Sequence, residues 1–221
     1  MEKPTNKEML MDATMRIVAE KGLSCFSMRQ VTSAIGVSEA LIYRHYTTKE
    51  NLLFQCFQSV DRQLADLFAS EKFPSISSEK ELYLYLHDSW IKYFSFLIQN
   101  DYKTLYYFEY RDSPHFLPTL KQNDSFLHTY IKSLADCFRA IGINYRIPSN
   151  ASEGYFHTYI FDVTGIFAKR VIRGELPADA KSKKQIWRLI YLGLSGFSQK
   201  ASLVTHTHHE VLVQKKQLRQ I

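Results

Sequence analysis

Glycine, proline and cysteine are all scarce in this chain of 221 residues, which holds eight, six and three of them. So few turn-forming residues favour long helices over an all-β fold, which needs many turns. The three cysteines are scattered and form no Cys-x-x-Cys pair, which is typical of reduced core thiols in a cytosolic protein. The sequence therefore predicts an all-α protein located in the cytoplasm.

Long apolar runs and enzyme signatures are missing as well. No stretch of 18 apolar residues occurs, and the charged start MEKPTNKEML lacks the apolar core of a secretory signal, so we expect no membrane partner. There is no P-loop, GxGxxG, GxSxG or HExxH motif, which indicates a protein that is not an enzyme and has no cofactor. His206, His208 and His209 could bind a metal, but no cysteine lies near them, which favours a solvated tail.

What the sequence does contain is apolar periodicity at helical spacing. Apolar residues make up 45% of the chain, which excludes a disordered protein. The periodicity predicts two short helices near residues 27–35 and 38–46, and longer helices near 5–21, 48–70, 79–99, 102–110, 119–141, 150–173 and 182–202. We expect a small front domain, residues 1–50, and a larger helical domain, residues 51–221, with the best linker candidate at 71–78.

The stretch 27–51 packs three helix starts into a short space. Ser27, Ser38 and Thr48 are each placed to cap a helix, and Gly36 lies between the first two. Two short helices joined by a tight turn that contains glycine form a helix-turn-helix motif. The apolar residues Val31, Ile35, Val37 and Ile42 are spaced to meet in one small core.

The first 55 residues closely resemble the DNA-binding module of TetR-family transcriptional regulators. The resemblance rests on Phe26-Ser27-x-Arg29-x-Val31, Gly36-Val37-Ser38, Ile42-Tyr43-x-His45-Tyr46 and Lys49-Glu50-x-Leu52-Leu53. It implies an N-terminal three-helix DNA-binding domain, followed by a larger helical domain for ligand binding and dimerisation. The rest of the chain is similar only in its length and helical pattern.

The resemblance also implies which residues bind double-stranded DNA. The candidates are Ser27, Arg29, Ser38, Glu39, Ala40, Tyr43, Arg44, His45 and Lys49. Among them, Tyr43, His45 and Lys49 look like phosphate contacts. Ala40 could touch a thymine methyl, and Arg44 could address guanine or the DNA backbone. The alternatives are a core aromatic for Tyr43 and a solvated surface charge for Lys49.

Two positions depart from the family pattern. Thr32 stands where the family usually has alanine between the two short helices, so packing there could shift slightly. Glu39 begins the recognition helix, where an acid is repelled by phosphate. It could accept a hydrogen bond from cytosine or simply stabilise the start of its own helix.

A single short recognition helix reads few base pairs, so we expect a homodimer with two DNA-binding domains. The resemblance implies dimerisation through the last two helices, which carry the small residues Gly165, Ala168, Gly193, Ser195 and Gly196. Close packing within one subunit is the alternative explanation for these residues. Asp162 lies in an apolar run, where it could offset a cationic ligand or pair with an arginine or lysine of the same dimer surface.

The second domain is rich in aromatic residues, which suit either a packed core or a pocket for an amphipathic ligand. The candidate ligand-binding residues are Trp90, Phe94, Tyr107, Tyr110, His128 and Phe161. The sequence thus predicts a ligand-responsive transcriptional regulator that acts as a repressor on a palindromic operator and is released by a small amphipathic or aromatic effector. The alternative is an architectural, all-helical DNA-binding protein without an effector.

Overall fold

The computed structural model describes residues 6–69, 78–116 and 158–198. These ranges contain eight α-helices and no strand, which confirms the all-α prediction. The helices are α1 (Asn6–Lys21), α2 (Met28–Ile35), α3 (Glu39–His45), α4 (Lys49–Ala69), α5 (Glu79–Gln99), α6 (Asp101–Arg111), α7 (Val163–Ile172) and α8 (Ala180–Ser198). A 3-10 turn, Leu23–Cys25, follows α1, and a π-helical turn, Thr158–Asp162, leads into α7. The predicted helix near 119–141, most of the linker 71–78 and the histidine-containing tail lie outside the described residues.

The first three helices form one small unit, here called the head. Val31 and Ile42 are fully buried in its core, and Ile35 and Val37 pack against them, as predicted. Gly36 ends α2 in the left-handed conformation, with φ of 69°. A side chain is strained in this conformation, so glycine is what allows the tight turn into α3.

Helix α4 joins the head to the remaining helices, α5 to α8, here called the body. It is one continuous helix of 21 residues, which corresponds to about 30 Å in length. The hydroxyl of Thr48 accepts a hydrogen bond from the Asn51 amide at 3.1 Å, which caps the start of α4 as predicted. Leu53 and Phe57 are buried on this helix and contact Tyr106 and Tyr107 of α6.

A second junction joins the head to the body through α1 and α6. The Tyr102 hydroxyl donates a hydrogen bond to the carboxylate of Asp12, and the guanidinium of Arg16 lies 3.8 Å from the centre of the Tyr102 ring. Just after the end of α1, the Leu23 amide donates to Oε1 of Glu109 at 3.1 Å. The head is therefore held to α6 through the middle of α1 and through the residues that follow its C-terminal end.

Two glycines of the last helices are explained by contacts within the subunit. A Cβ atom at Gly165 would lie 2.0 Å from the ring of Phe108, and one at Gly193 would lie 1.7 Å from the Tyr159 hydroxyl. Glycine is therefore required for these rings to pack against α7 and α8. For these two positions the structure favours packing within one subunit, the alternative that the sequence left open.

Within the described ranges, no helix is long and apolar enough to cross a membrane. The same ranges hold no group of three or more histidine, cysteine, aspartate or glutamate side chains that could bind a metal ion.

Candidate nucleic-acid interface

Helix α3 presents two different faces, because Ile42 anchors one of them in the core of the head. Ile42 has no exposed surface, and it fixes how the seven-residue helix is rotated about its axis. The side chains on the opposite face are exposed: Glu39, Ala40, Tyr43, Arg44 and His45. The structure thus brings the α3 candidates together on one short, accessible surface.

Tyr43 decides between the two interpretations of its role. Its side chain is 52% exposed, so it is not a core aromatic. An exposed tyrosine offers a hydroxyl that can donate to a phosphate oxygen. Tyr46, two residues after Arg44, fills the core instead, where its hydroxyl donates to the Lys7 carbonyl at 3.3 Å. Burial raises the pKa of Tyr46, so it stays neutral.

Lys49 is more than a solvated surface charge, and its phosphate contact stays a prediction. Its ammonium donates to the Phe26 carbonyl at 2.8 Å and lies 5.3 Å from the centre of the Phe26 ring. It therefore ties the start of α4 to the segment that enters α2. An ammonium has three N–H donors, so two remain for other acceptors, including a phosphate.

The remaining candidates lie at helix starts. Ser27 and Arg29 at the beginning of α2 are exposed, and the Ser27 amide donates to Oε1 of Gln30 at 2.9 Å, as the predicted capping box requires. Ser38 precedes α3 in extended conformation, but its hydroxyl forms no capping hydrogen bond. Thr32 is buried, and its hydroxyl donates to the Arg29 carbonyl at 2.9 Å, so the larger side chain is accommodated within α2.

The net positive charge on this surface is small. Arg29, Arg44 and Lys49 are opposed there by Glu39, at the first turn of α3. At that turn a carboxylate interacts favourably with the positive end of the helix dipole. The surface is thus suited to directed hydrogen bonds more than to long-range attraction.

The described candidate ligand-binding residues belong to one hydrophobic core, in which their rings form several contacts. Trp90 and Phe94 stack on each other at 4.9 Å between ring centres, whereas Tyr107 and Tyr110 stack on Phe57 at 5.2 and 5.1 Å. Phe161 meets Tyr93 edge-on at 5.1 Å. All five described candidates are buried, and His128 lies outside the described residues. Their role in ligand binding stays a prediction.

Polar groups accompany these aromatic rings, and one was missed by sequence reasoning. Asp61 is fully buried on α4 and accepts a hydrogen bond from the Tyr107 hydroxyl at 3.0 Å. Nearby, the indole N–H of Trp90 donates to Thr164 at 3.1 Å. An aspartate at an inward position of an otherwise apolar helical stripe is the sequence signal that could have identified Asp61.

Asp162 is paired with an arginine, but this arginine belongs to α6 and not to the last two helices, where the sequence predicted the dimer surface. The partner is Arg111 of the same chain, at 2.7 Å between Nη1 and Oδ1. Burial opposes the charge of Arg111, but its interactions with Tyr107 and Asp162 outweigh this effect and raise its pKa. The pair therefore links α6 to the π-helical turn within one subunit.

Comparisons with known proteins agree with this geometry. Residues 10–56 match the family described as "Bacterial regulatory proteins, tetR family". The HTH-type transcriptional regulator BetI of Rhizobium meliloti (strain 1021) is 30% identical over 63 residues, which make up 28% of this chain. The matched part covers 31% of the length of that relative.

Solved structures extend the similarity over most of the chain. A TetR family transcription regulator from Marinobacter aquaeolei VT8 has a TM-score of 0.67 at 20% identity, covering 84% of this chain and 93% of that protein. A putative tetR family transcription regulator from Shewanella sp. PV-4 has a TM-score of 0.66 at 19% identity, covering 86% of this chain and 98% of that protein. At such identities the similarity establishes the fold, which the head and the body share with these proteins.

Proposed function

Because the chain is a member of the TetR family of bacterial regulatory proteins, we propose that it represses transcription by binding a palindromic operator as a homodimer. A small amphipathic or aromatic effector releases it from the DNA. The observation that carries the DNA-binding role is the exposed face of α3, opposite the buried Ile42. This helix is accessible, rigidly oriented and short enough to enter a major groove.

Within this proposal the contacts have different tasks. Tyr43, His45 and Lys49 bind phosphates and set the position of the head, while Ala40 and Arg44 read base edges. Further DNA contacts come from Ser27 and Arg29 at the start of α2 and from Ser38 at the start of α3. Glu39 accepts a hydrogen bond from a cytosine amine or stabilises the start of its own helix.

Dimerisation is supported by exposed apolar side chains on the last two helices. Ile166 of α7 and Leu189 and Leu192 of α8 are 49%, 56% and 55% exposed. Large exposed apolar side chains that cluster on adjacent helices are typical of a protein–protein interface. A symmetric dimer through this face places two heads for half-sites about 34–36 Å apart, or a multiple of that distance.

An effector acts by binding one state of the dimer more tightly than the other, and DNA then weakens effector binding by the same factor. The body contains aromatic rings together with hydroxyl groups, a combination suited to binding an amphipathic ligand. The tight pairing of the five described candidates with neighbouring groups supports the rival function, an architectural DNA-binding protein with a solid core.

Selection of bound duplexes from random DNA tests the proposal. We expect a palindromic motif with two half-sites, and a thermal-shift screen of lipophilic cations and neutral aromatic compounds should yield a compound that weakens binding. Recovery of unrelated sequences with equal affinity, together with no response to such compounds, would establish the architectural alternative.

A further inference from the structure

The positive charge of this protein is concentrated away from the head. Residues 1–50 hold seven lysines and arginines against six acids, whereas α8 holds four cations and no acid. All four lie in the first half of α8: Lys181, Lys183, Lys184 and Arg188. The head alone therefore does not account for the basic character of the chain.

Three of these cations form a continuous strip on the surface. Lys181, Lys184 and Arg188 are spaced by three and four residues and are exposed, so they share one side of the helix, here called the cationic strip. Ile186, Trp187 and Ile190 are buried on the opposite side and fix how α8 is rotated. The strip is a consequence of how the helix packs.

The acids near the strip are already engaged. Asp179 accepts a hydrogen bond from the Ser182 amide at 2.7 Å, which caps the start of α8. Glu175 is paired with Arg170 at 2.6 Å. Asp179 remains charged and also interacts with Lys181, so the three cations of the strip face one nearby carboxylate and keep a surplus of positive charge.

The topology places the strip at the end of the body that faces the head. Tyr159, at the beginning of the π-helical turn, donates to the Leu189 carbonyl at 3.3 Å, so the later part of α8 lies beside the start of this helical segment. The other end of α7 reaches the head, because Arg173 lines a crevice together with Gly22 at the end of α1. Since the α7–α8 connection is short and the helices run antiparallel, the first turns of α8 lie at the head end.

That crevice is slightly acidic, since Glu20, Glu109 and Asp112 line it together with only two cations, Lys169 and Arg173. Lys169 lies 4.0 Å from Asp112, and Glu109 accepts from the Leu23 amide. The surplus charge therefore begins only with the strip on α8. The strip is cationic, whereas the neighbouring crevice also carries carboxylates.

We propose that the cationic strip binds the phosphate backbone of the operator between the two half-sites. This inference rests on the proposed function, because a dimer that uses Leu189 and Leu192 brings two strips close to each other on the side of the heads. Like charges that are held together repel each other, and a polyanion lying across them relieves this repulsion. The operator segment between the heads is the polyanion at that place.

The test compares K181Q/K184Q with the charge-matched variant R62Q/K80Q. All four side chains are exposed, and Lys80 lies at the start of α5, about 30 Å along that helix from α6. Affinity is measured from about 50 to 200 mM KCl for a duplex recovered by selection and for a scrambled duplex of the same composition.

For K181Q/K184Q we expect a salt slope reduced by up to about 3.6 units, since each of four lost phosphate contacts contributes about 0.9. The same fold-loss should occur on both duplexes, so that sequence preference is unchanged. Hydroxyl-radical footprinting should show protection between the half-sites that this variant alone loses. The control should keep the wild-type slope.

A slope or central footprint equal to that of the wild type would overturn the role of the strip while leaving the proposed function in place. Loss of preference between the two duplexes in K181Q/K184Q would overturn it too, because phosphate contacts carry no sequence information. If the wild type shows no preference for its selected duplex, both this inference and the proposed function fail.

Discussion

Lys49 combines two tasks in one side chain. Its ammonium holds the Phe26 carbonyl at 2.8 Å while the side chain remains partly exposed beside the recognition helix. A loss of DNA binding on its removal would therefore mix two effects: a missing phosphate contact and a loosened head. Any substitution at this position needs a measurement that separates them.

We predict that Lys49→Met lowers both the salt slope, by about one unit per head, and the free energy of unfolding, by about 1 kcal/mol. Tyr43→Phe should weaken DNA binding without changing stability, because the Tyr43 hydroxyl lies on the exposed face of α3. Urea unfolding and salt titration of both variants check this. Unaltered stability in Lys49→Met would show that the Phe26 contact contributes little.

Arg44 gives the sharper test of base reading. Arg44→Ala should lower the discrimination between the selected duplex and a single-base variant of it by about 1–3 kcal/mol. Tyr43→Phe is the control, since loss of a phosphate contact weakens both duplexes alike. If the two substitutions alter discrimination equally, Arg44 is a backbone contact.

Gly165 lets a buried ring, that of Phe108, pack directly against α7. Gly165→Ala places a methyl group 2.0 Å from the Phe108 ring, and we predict a loss of about 1–3 kcal/mol in stability. Gly193→Ala is the matched comparison: its methyl group meets the hydroxyl and ring of Tyr159, which is less buried than Phe108, so we expect a smaller loss. Urea denaturation measures both. Adding Phe108→Leu should partly restore Gly165→Ala, and a failure to do so would contradict the assigned clash.

At the scale of elements, local signals predicted the head and several helix bounds well. Helix α5 runs over Glu79–Gln99 as predicted, because Ser78 caps it through a hydrogen bond from the Glu81 amide at 3.2 Å. The α2–turn–α3 unit was equally predictable, since its capping residues and Gly36 act within a few positions.

Contacts between distant parts of the chain could not be predicted in this way. No local pattern indicates that Arg111 is the partner of Asp162, or that Gly165 admits the ring of Phe108. Such pairs depend on how helices cross, which apolar periodicity leaves undetermined. The same reason explains why Lys49 was predicted as a contact and not as a tie to Phe26.

The α1–α6 junction should respond to acid. Burial by itself would raise the pKa of Asp12, but hydrogen bonds from Tyr102 and Arg16 outweigh it and hold this pKa below its ordinary value of 3.8. A lowered folded-state pKa stabilises the protein above 3.8, and this contribution is lost as the pH falls through the folded-state value.

Asp12→Asn should therefore destabilise the protein at pH 7 by less than about 1 kcal/mol, since the side chain is partly exposed. The difference from the wild type should shrink on acidification below 3.8. Urea denaturation across pH measures it, with Tyr102→Phe as the background in which the effect should be smaller. An effect independent of pH would mean that the carboxylate charge has no part in the junction.

At the scale of the whole molecule, the apolar face of α7 and α8 is expected to set the oligomeric state. Leu189→Glu combined with Leu192→Glu should convert a dimer to a monomer in sedimentation experiments at micromolar concentration. Leu84→Glu is the control, because Leu84 is similarly exposed, at 47%, but lies on α5. A wild type that sediments as a monomer would remove the basis for two coupled heads.

The two tryptophans give the molecule a built-in optical reporter. Trp90 and Trp187 are the only tryptophans in the chain, and their buried rings lie 5.5 Å apart, where α5 meets α8. Neither lies in the head, so intrinsic fluorescence reports on the body alone. A spectral change on adding DNA would thus show, without any label, that DNA binding reaches the body, either through the heads or through the cationic strip beside Trp187.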